Sequence, residues 1–144
     1  MKTIFTVGYG NRSPRKFVEL LKEHDIKVVL DVRRQDSKAW HGYYHAGSPF
    51  IKFLWEHQLI YLPAYYLGNQ EDSLADYDAW LCGHEGKPQL EVLELSIKAL
   101  ELYGNLAIMC ACKQPAACHR QIIAAHLMRS MGKDAGGEWD VKHI

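Results

Sequence analysis

Three cysteines, a lysine, a histidine and an arginine fall within residues 110–120, in the run CACKQPAACHR. Thiols, an imidazole and cations at this spacing admit three kinds of chemistry. A thiol at a helix N-terminus beside Lys113, His119 and Arg120 is biased toward the thiolate, which makes Cys118 a candidate nucleophile and Cys112 its alternative. His119 is a candidate general acid or base. Cys110, Cys112, Cys118 and His119 together offer enough donors for zinc, but C-x-C-x5-C-H is not a common finger or ribbon spacing, and no metal is assigned. Cys110 ends an apolar run and reads as a core thiol. Cys82 stands alone and reads as structural; His126 reads as a packed histidine.

These side chains need elements to hold them. Residues 105–110, NLAIMC, are a short apolar run that suits a fully buried strand. From Cys118 on, Ile122, Ile123, Leu127 and Met131 make a helical stripe, and Pro115 suits a first helical turn. Strand, tight loop and helix N-terminus together present backbone N–H groups to an anion.

Upstream, residues 3–7 read as a strand, and Ser13-Pro14 starts a helix with serine as N-cap. Residues 26–30 read as a second buried strand running into Asp31, and this βαβ unit implies parallel strands. Residues 35–47 read as a long loop, Ser48-Pro49 as another helix start, and 59–62 as a third strand. A short helix over 72–81, a longer one opened by Pro88 and stopped by Gly104, and a last strand over 139–144 complete the pattern. The expected fold is α/β: one domain over 1–144, an open, mostly parallel sheet with helices on both faces.

Parallel strands gather their outgoing loops at one edge, where ligands of open α/β sheets bind. Those loops carry Tyr9, Asn11 and Arg12, then Asp31, Arg33 and Arg34, then the Cys/His/Arg run. Asn11, Arg12, Arg33, Lys113 and Arg120 are the candidate ligand-binding residues, and Asp31, Cys118 and His119 the candidate catalytic ones. Several guanidinium groups on one edge call for anions. The plainer reading of Asp31 and Arg33 is an ion pair. Gly8-Tyr9-Gly10 is a fragment of a dinucleotide fingerprint that lacks its third glycine. Trp40, Tyr43, Tyr44, Tyr65 and Tyr66, with His41 and His45, sit in long loops and either stack on a ligand or pack on one another.

Composition adds bounds. The chain has 144 residues, 48% of them apolar and 24% charged, with a formal charge of zero. No global field draws it to nucleic acid or anionic membrane, so a nucleic-acid role needs a local basic patch. No apolar run approaches the roughly 20 residues of a bilayer span. The N-terminus does not read as a signal peptide, so a cytoplasmic location with four reduced or ligating cysteines is expected.

The set VGYGNRS, LDVRR, LIYLPAYYLGN and MCACKQPAACHR, with the closing VKHI, resembles the DUF488 family across nearly the whole chain. The resemblance implies that Asn11, Asp31, Arg33, Cys110, Cys118, His119 and Arg120 are the positions to carry over. Family members often start with Gly-His-Ser/Thr where this chain has Gly8-Tyr9-Gly10, and often place an acidic residue where Cys112 stands. They are sometimes linked by context to DNA repair. A more distant likeness, to rhodanese-like sulfurtransferases, rests on LDVRR and a strand-Cys-loop-helix order. Cys112 is followed by five residues and then Cys118, where a thiol phosphatase would need arginine.

The expected function is binding of a phosphate-bearing ligand, a nucleotide or nucleic-acid end, at the strand-carboxyl edge. Arg33 and Arg120 hold the anion in this reading, Asp31 orients an arginine or acts as base, and His119 transfers protons. The alternatives are a thiol enzyme using Cys118 or Cys112, and a binding module with a structural or zinc-holding Cys/His cluster. Cofactor and oligomeric state are left unassigned.

Overall fold

The computed structural model describes residues 2–10, 12–36, 48–71, 73–112, 118–132 and 135–144. Five strands, β1 (Lys2–Gly8), β2 (Ile26–Asp31), β3 (Ile60–Pro63), β4 (Asn105–Cys110) and β5 (Trp139–His143), form one sheet in the order β3-β2-β4-β1-β5. Every pairing is parallel, so the sheet is wholly rather than mostly parallel. Five helices connect them: α1 (Pro14–Glu23), α2 (Ser48–Glu56), α3 (Leu74–Cys82), α4 (Gly86–Leu100) and α5 (His119–Met131).

Side chains alternate across a strand, and both faces here are apolar. Phe5, Val7, Val29, Ala107 and Met109 pack with Phe17, Leu21, Phe50 and Leu54 of α1 and α2. Ile4, Val28, Leu30, Leu106 and Ile108 pack on the other face with Leu93, Ile97, Ile123 and Leu127 of α4 and α5. Burial of each large aliphatic or aromatic side chain contributes about 1.5–3 kcal/mol before entropy is counted. The two-faced core explains why the strands read as continuous apolar runs instead of alternating ones.

Local signals set the helix ends. Ser13 Oγ accepts from the Lys16 amide with Pro14 at the first helical position, as the sequence suggests. In α3 the cap is Ser73, which accepts from Asp76, so the helix starts two residues later than read. α4 starts at Gly86, ahead of Pro88, because Pro88 lacks only a donor that a first turn leaves unpaired anyway. α2 starts at Ser48 itself. The long loop over 37–47 lies outside the described residues, and so does Pro115.

The strand order creates the crevice. The chain leaves β2 toward the α1/α2 face and leaves β4 toward the α4/α5 face, and β2 and β4 are neighbours. Backbone at their carboxyl ends therefore parts, as at a topological switch point. Hydrogen bonds carry the ladder past the strand ends: Val32 N to Met109 O at 3.1 Å, Tyr9 N to Cys110 O at 3.2 Å and Gly10 N to Ala111 O at 2.9 Å.

Candidate functional site

Asp31 ends β2 and is fully buried, and four donors close on its carboxylate. Arg33 approaches as a fork, Nε to Oδ1 at 2.9 Å and Nη2 to Oδ2 at 2.8 Å, while its own amide donates to Oδ1 at 3.0 Å. The Tyr61 hydroxyl donates to Oδ2 at 2.5 Å and lies 2.7 Å from the Tyr65 hydroxyl. The Arg33 guanidinium sits between two rings, 5.4 Å from Tyr9 and 5.1 Å from Phe50. Burial opposes its charge, but the Asp31 partner outweighs burial and keeps the guanidinium protonated. Burial, reinforced by Asp31, likewise pushes the Tyr61 hydroxyl far up, so it stays a donor. Of the two roles read for Asp31, this geometry suits orientation of an arginine, since four donors already occupy the carboxylate.

The second half comes from β4 and α5. Cys110 ends β4 on the α4/α5 face, and Cys118 occupies the N-cap position of α5. Their Sγ atoms are 2.7 Å apart, both buried, and the Sγ atoms of Cys110, Cys112 and Cys118 all lie within 4.8 Å of one another. Cys112 is half-buried, the most accessible thiol of the three. Thiol donation from Cys110 and Cys118, then the nearby His119 and Arg120, pulls the Cys112 thiol well below its ordinary range. The same hydrogen bonds and burial push Cys110 up, so of these two thiols Cys112 loses its proton more readily.

His119 is fixed from both sides. Its Nε2 lies 2.8 Å from the Val32 carbonyl, which only accepts, so Nε2 carries the proton. The Nδ1 lone pair is then left facing Cys118 Sγ at 3.8 Å. Tyr77 packs edge-on at 5.1 Å, its own hydroxyl held by the Leu67 carbonyl at 2.7 Å. Burial lowers the His119 pKa and favours the neutral ring. Arg120 is fully buried. Its Nη1 lies 3.4 Å from where a Cβ on Gly8 would stand, and the Cys112 carbonyl oxygen lies 1.5 Å from that point. Only glycine at position 8 admits that approach of the two chains beyond the strand ends.

Asp31 and Cys110 stem from opposite faces of the sheet, yet a cavity of about 380 Å³ off the strand tips reaches both halves. Arg33, Arg34, Asp36, Asn69, Cys110, Ala111, Cys112 and His119 line it. Of the two segments expected to share a cleft, Arg33 and His119 line this cavity, whereas Asp31, Cys118 and Arg120 are buried and do not. Arg120 is therefore not placed to hold an anion there. Cys118 lies beneath the wall, and Cys112 faces the opening. Arg12 turns back to donate to the Gly8 carbonyl. Asn11 and Lys113 lie outside the described residues, as do Trp40, His41, Tyr43, Tyr44 and His45.

Tyr61 and Asn69 escaped the sequence reading, which places Arg34 at the strand-carboxyl edge but not among the candidate ligand-binding residues. Tyr61 had a signal: in a parallel sheet it registers with Val29, which shares a face with Asp31. Arg34 and Asn69 meet because Gly68 packs against the Arg34 backbone, where a Cβ would stand 2.8 Å from Arg34 Cα. Cys82 is not alone: its Sγ, an Asp78 oxygen and a His126 nitrogen lie within 4.8 Å of one another, on α3 and α5. A larger cavity, about 480 Å³, opens elsewhere beside Lys2, Glu101, Asn105 and Trp139. It is lined by no thiol or histidine, and Lys2 there pairs with Glu101 and Glu138.

Among the described residues, no helix is long and apolar enough to cross a membrane. No curated protein and no solved structure matches the chain. The family model described as Domain of unknown function DUF488 matches residues 13–127, which include Asp31, Arg33, the three clustered cysteines, His119 and Arg120, and the chain belongs to that family.

Proposed function

We propose that the β2/β4 crevice binds a phosphate-bearing ligand, a nucleotide or a nucleic-acid end, in a cytoplasmic protein. The observation that carries this reading is the common cavity: Arg33, Arg34, Asn69 and His119 converge on it beside the N-terminus of α5. Each group has a task in that reading. Arg33, held by Asp31 and two rings, is a fixed guanidinium edge whose charge Asp31 largely balances. Arg34, half exposed and paired across the surface with Asp36 at 3.1 Å, is the cation that can leave that pair and turn to the ligand. Asn69 offers a neutral polar contact, and backbone N–H groups at a helix start favour an anion. The zero net charge argues against broad attraction to nucleic acid, so recognition rests on this one cationic edge.

The test is a thermal-shift and calorimetric series with inorganic phosphate, mononucleotides and 5′-phosphorylated oligonucleotides. Native-state binding raises the melting temperature with ligand concentration. The expected result is a rise with at least one phosphate compound that shrinks in Arg34→Ala and at higher salt. No rise with any of them at millimolar concentration, or an equal rise in Arg34→Ala, overturns the reading.

A further inference from the structure

We infer that Cys110, Cys112 and Cys118 form a soft-metal site that takes zinc through three thiolates. The inference stands apart from the phosphate reading, since it uses the sulfur wall of the crevice and not its cations.

The donors are of the right kind and in the right place. Three Sγ atoms lie within 4.8 Å of one another. Tetrahedral zinc with Zn–S bonds of about 2.3 Å separates its sulfurs by about 3.8 Å. Cys110 and Cys118, at 2.7 Å, would part by about 1 Å to admit the ion. His119 borders the sulfurs: it gives its Nε2–H to the Val32 carbonyl at 2.8 Å, and its Nδ1 meets Cys118 Sγ at 3.8 Å. It lies outside the group of atoms within 4.8 Å of one another, so solvent, or His119 after a shift of its ring, completes the tetrahedron.

The surroundings fit the charge of the product. Three thiolates on one Zn²⁺ carry net −1, and each thiol that binds gives up its proton to solvent. Buried Arg120 acts on Cys110 and Cys112 as a neighbouring positive charge, which compensates that anion. A disulfide would be the simpler fate of two close thiols. It leaves Cys112 without a role, and the zinc site uses all three thiols.

Full-length protein, purified under reducing conditions, is stripped with a chelator and titrated with Zn²⁺, and with Co²⁺ as a spectroscopic stand-in. We expect stoichiometric zinc and an intense thiolate-to-cobalt charge-transfer band. Zinc should protect Cys112 from iodoacetamide. Cys112 is half-buried at the rim, so Cys112→Ser should fold while losing zinc affinity by at least about tenfold. Cys82→Ser, which alters the Asp78/Cys82/His126 group, should leave the band intact. The proposal is overturned by absence of the band in wild type, by its loss in Cys82→Ser with retention in Cys112→Ser, or by a Cys110–Cys118 disulfide in fresh reduced protein. Alkylation of Cys112 at the same rate with and without zinc also overturns it, and leaves that thiol to the nucleophile reading.

Discussion

Asp31 is the residue on which the candidate site turns. Its carboxylate and the Arg33 guanidinium are almost wholly out of water, so each is tolerable only because of the other. Asp31→Asn should cost about 3–5 kcal/mol by leaving a buried cation without its counter-charge. For a chain of this size that is a fall of roughly 6–20 °C in melting temperature, readable by calorimetry. Replacing both partners by apolar residues, Asp31→Leu with Arg33→Met, should recover much of the loss. His119 gives a pH signature. Burial holds its folded-state pKa below the ordinary histidine value, so below about pH 6.5 the unfolded chain takes the proton first. Its contribution to stability is complete above that value and is lost as pH falls toward the folded pKa. His119→Gln should flatten that part of a urea-denaturation series. In metal-free protein, Cys112 should react with iodoacetamide at a rate nearly constant between about pH 6 and 8, where an ordinary thiol gains about tenfold per unit.

At the scale of elements, the strand tips are held together with no slack. Gly8 is the clearest instance: a Cβ there would sit inside the Cys112 carbonyl, so Gly8→Ala must push apart the chains leaving β1 and β4. A loss of about 1–3 kcal/mol is expected from overpacking alone, with Cys112 displaced and its alkylation rate changed. Ser13→Ala, which removes the α1 cap and changes no strand tip, should cost about 1 kcal/mol. The contrast also shows what a linear reading can reach. β4 and the start of α5 were legible because an apolar run met a helical stripe around a dense set of reactive side chains. The cap at Ser13 was legible because capping chemistry is local. Tyr61 was hidden because its link to Asp31 runs through the pairing of β2 with β3, which no nearby residue announces. The sequence favours Cys118 as the site thiol and leaves Cys112 open, and burial is what it does not announce. Exposure at the strand tips depends on which chain crosses over which, and the α5 start buries Cys118 while Cys112 is left at the rim.

For the molecule as a whole, the order of strands decides more than their number. β1 and β2 share no hydrogen bonds; β4 lies between them and pairs with both. It follows β1, β2 and β3 in the chain, beginning at Asn105. Emerging from the ribosome, the chain therefore carries β1 alone and the β2/β3 pair, with an open slot between them, until β4 is made. Contacts of such long sequence separation form slowly, and the slot offers unpaired edges to neighbouring nascent chains in the meantime. A fragment ending at Gly104 should gain no slow-exchanging amides in β1 or β2 by hydrogen-exchange mass spectrometry. Adding a synthetic peptide spanning β4 and α5 should restore them. The insertion that closes the slot is also the one that brings the reactive cysteines to Asp31, so a half-made chain holds no assembled thiol cluster to be oxidised or metallated at the wrong moment.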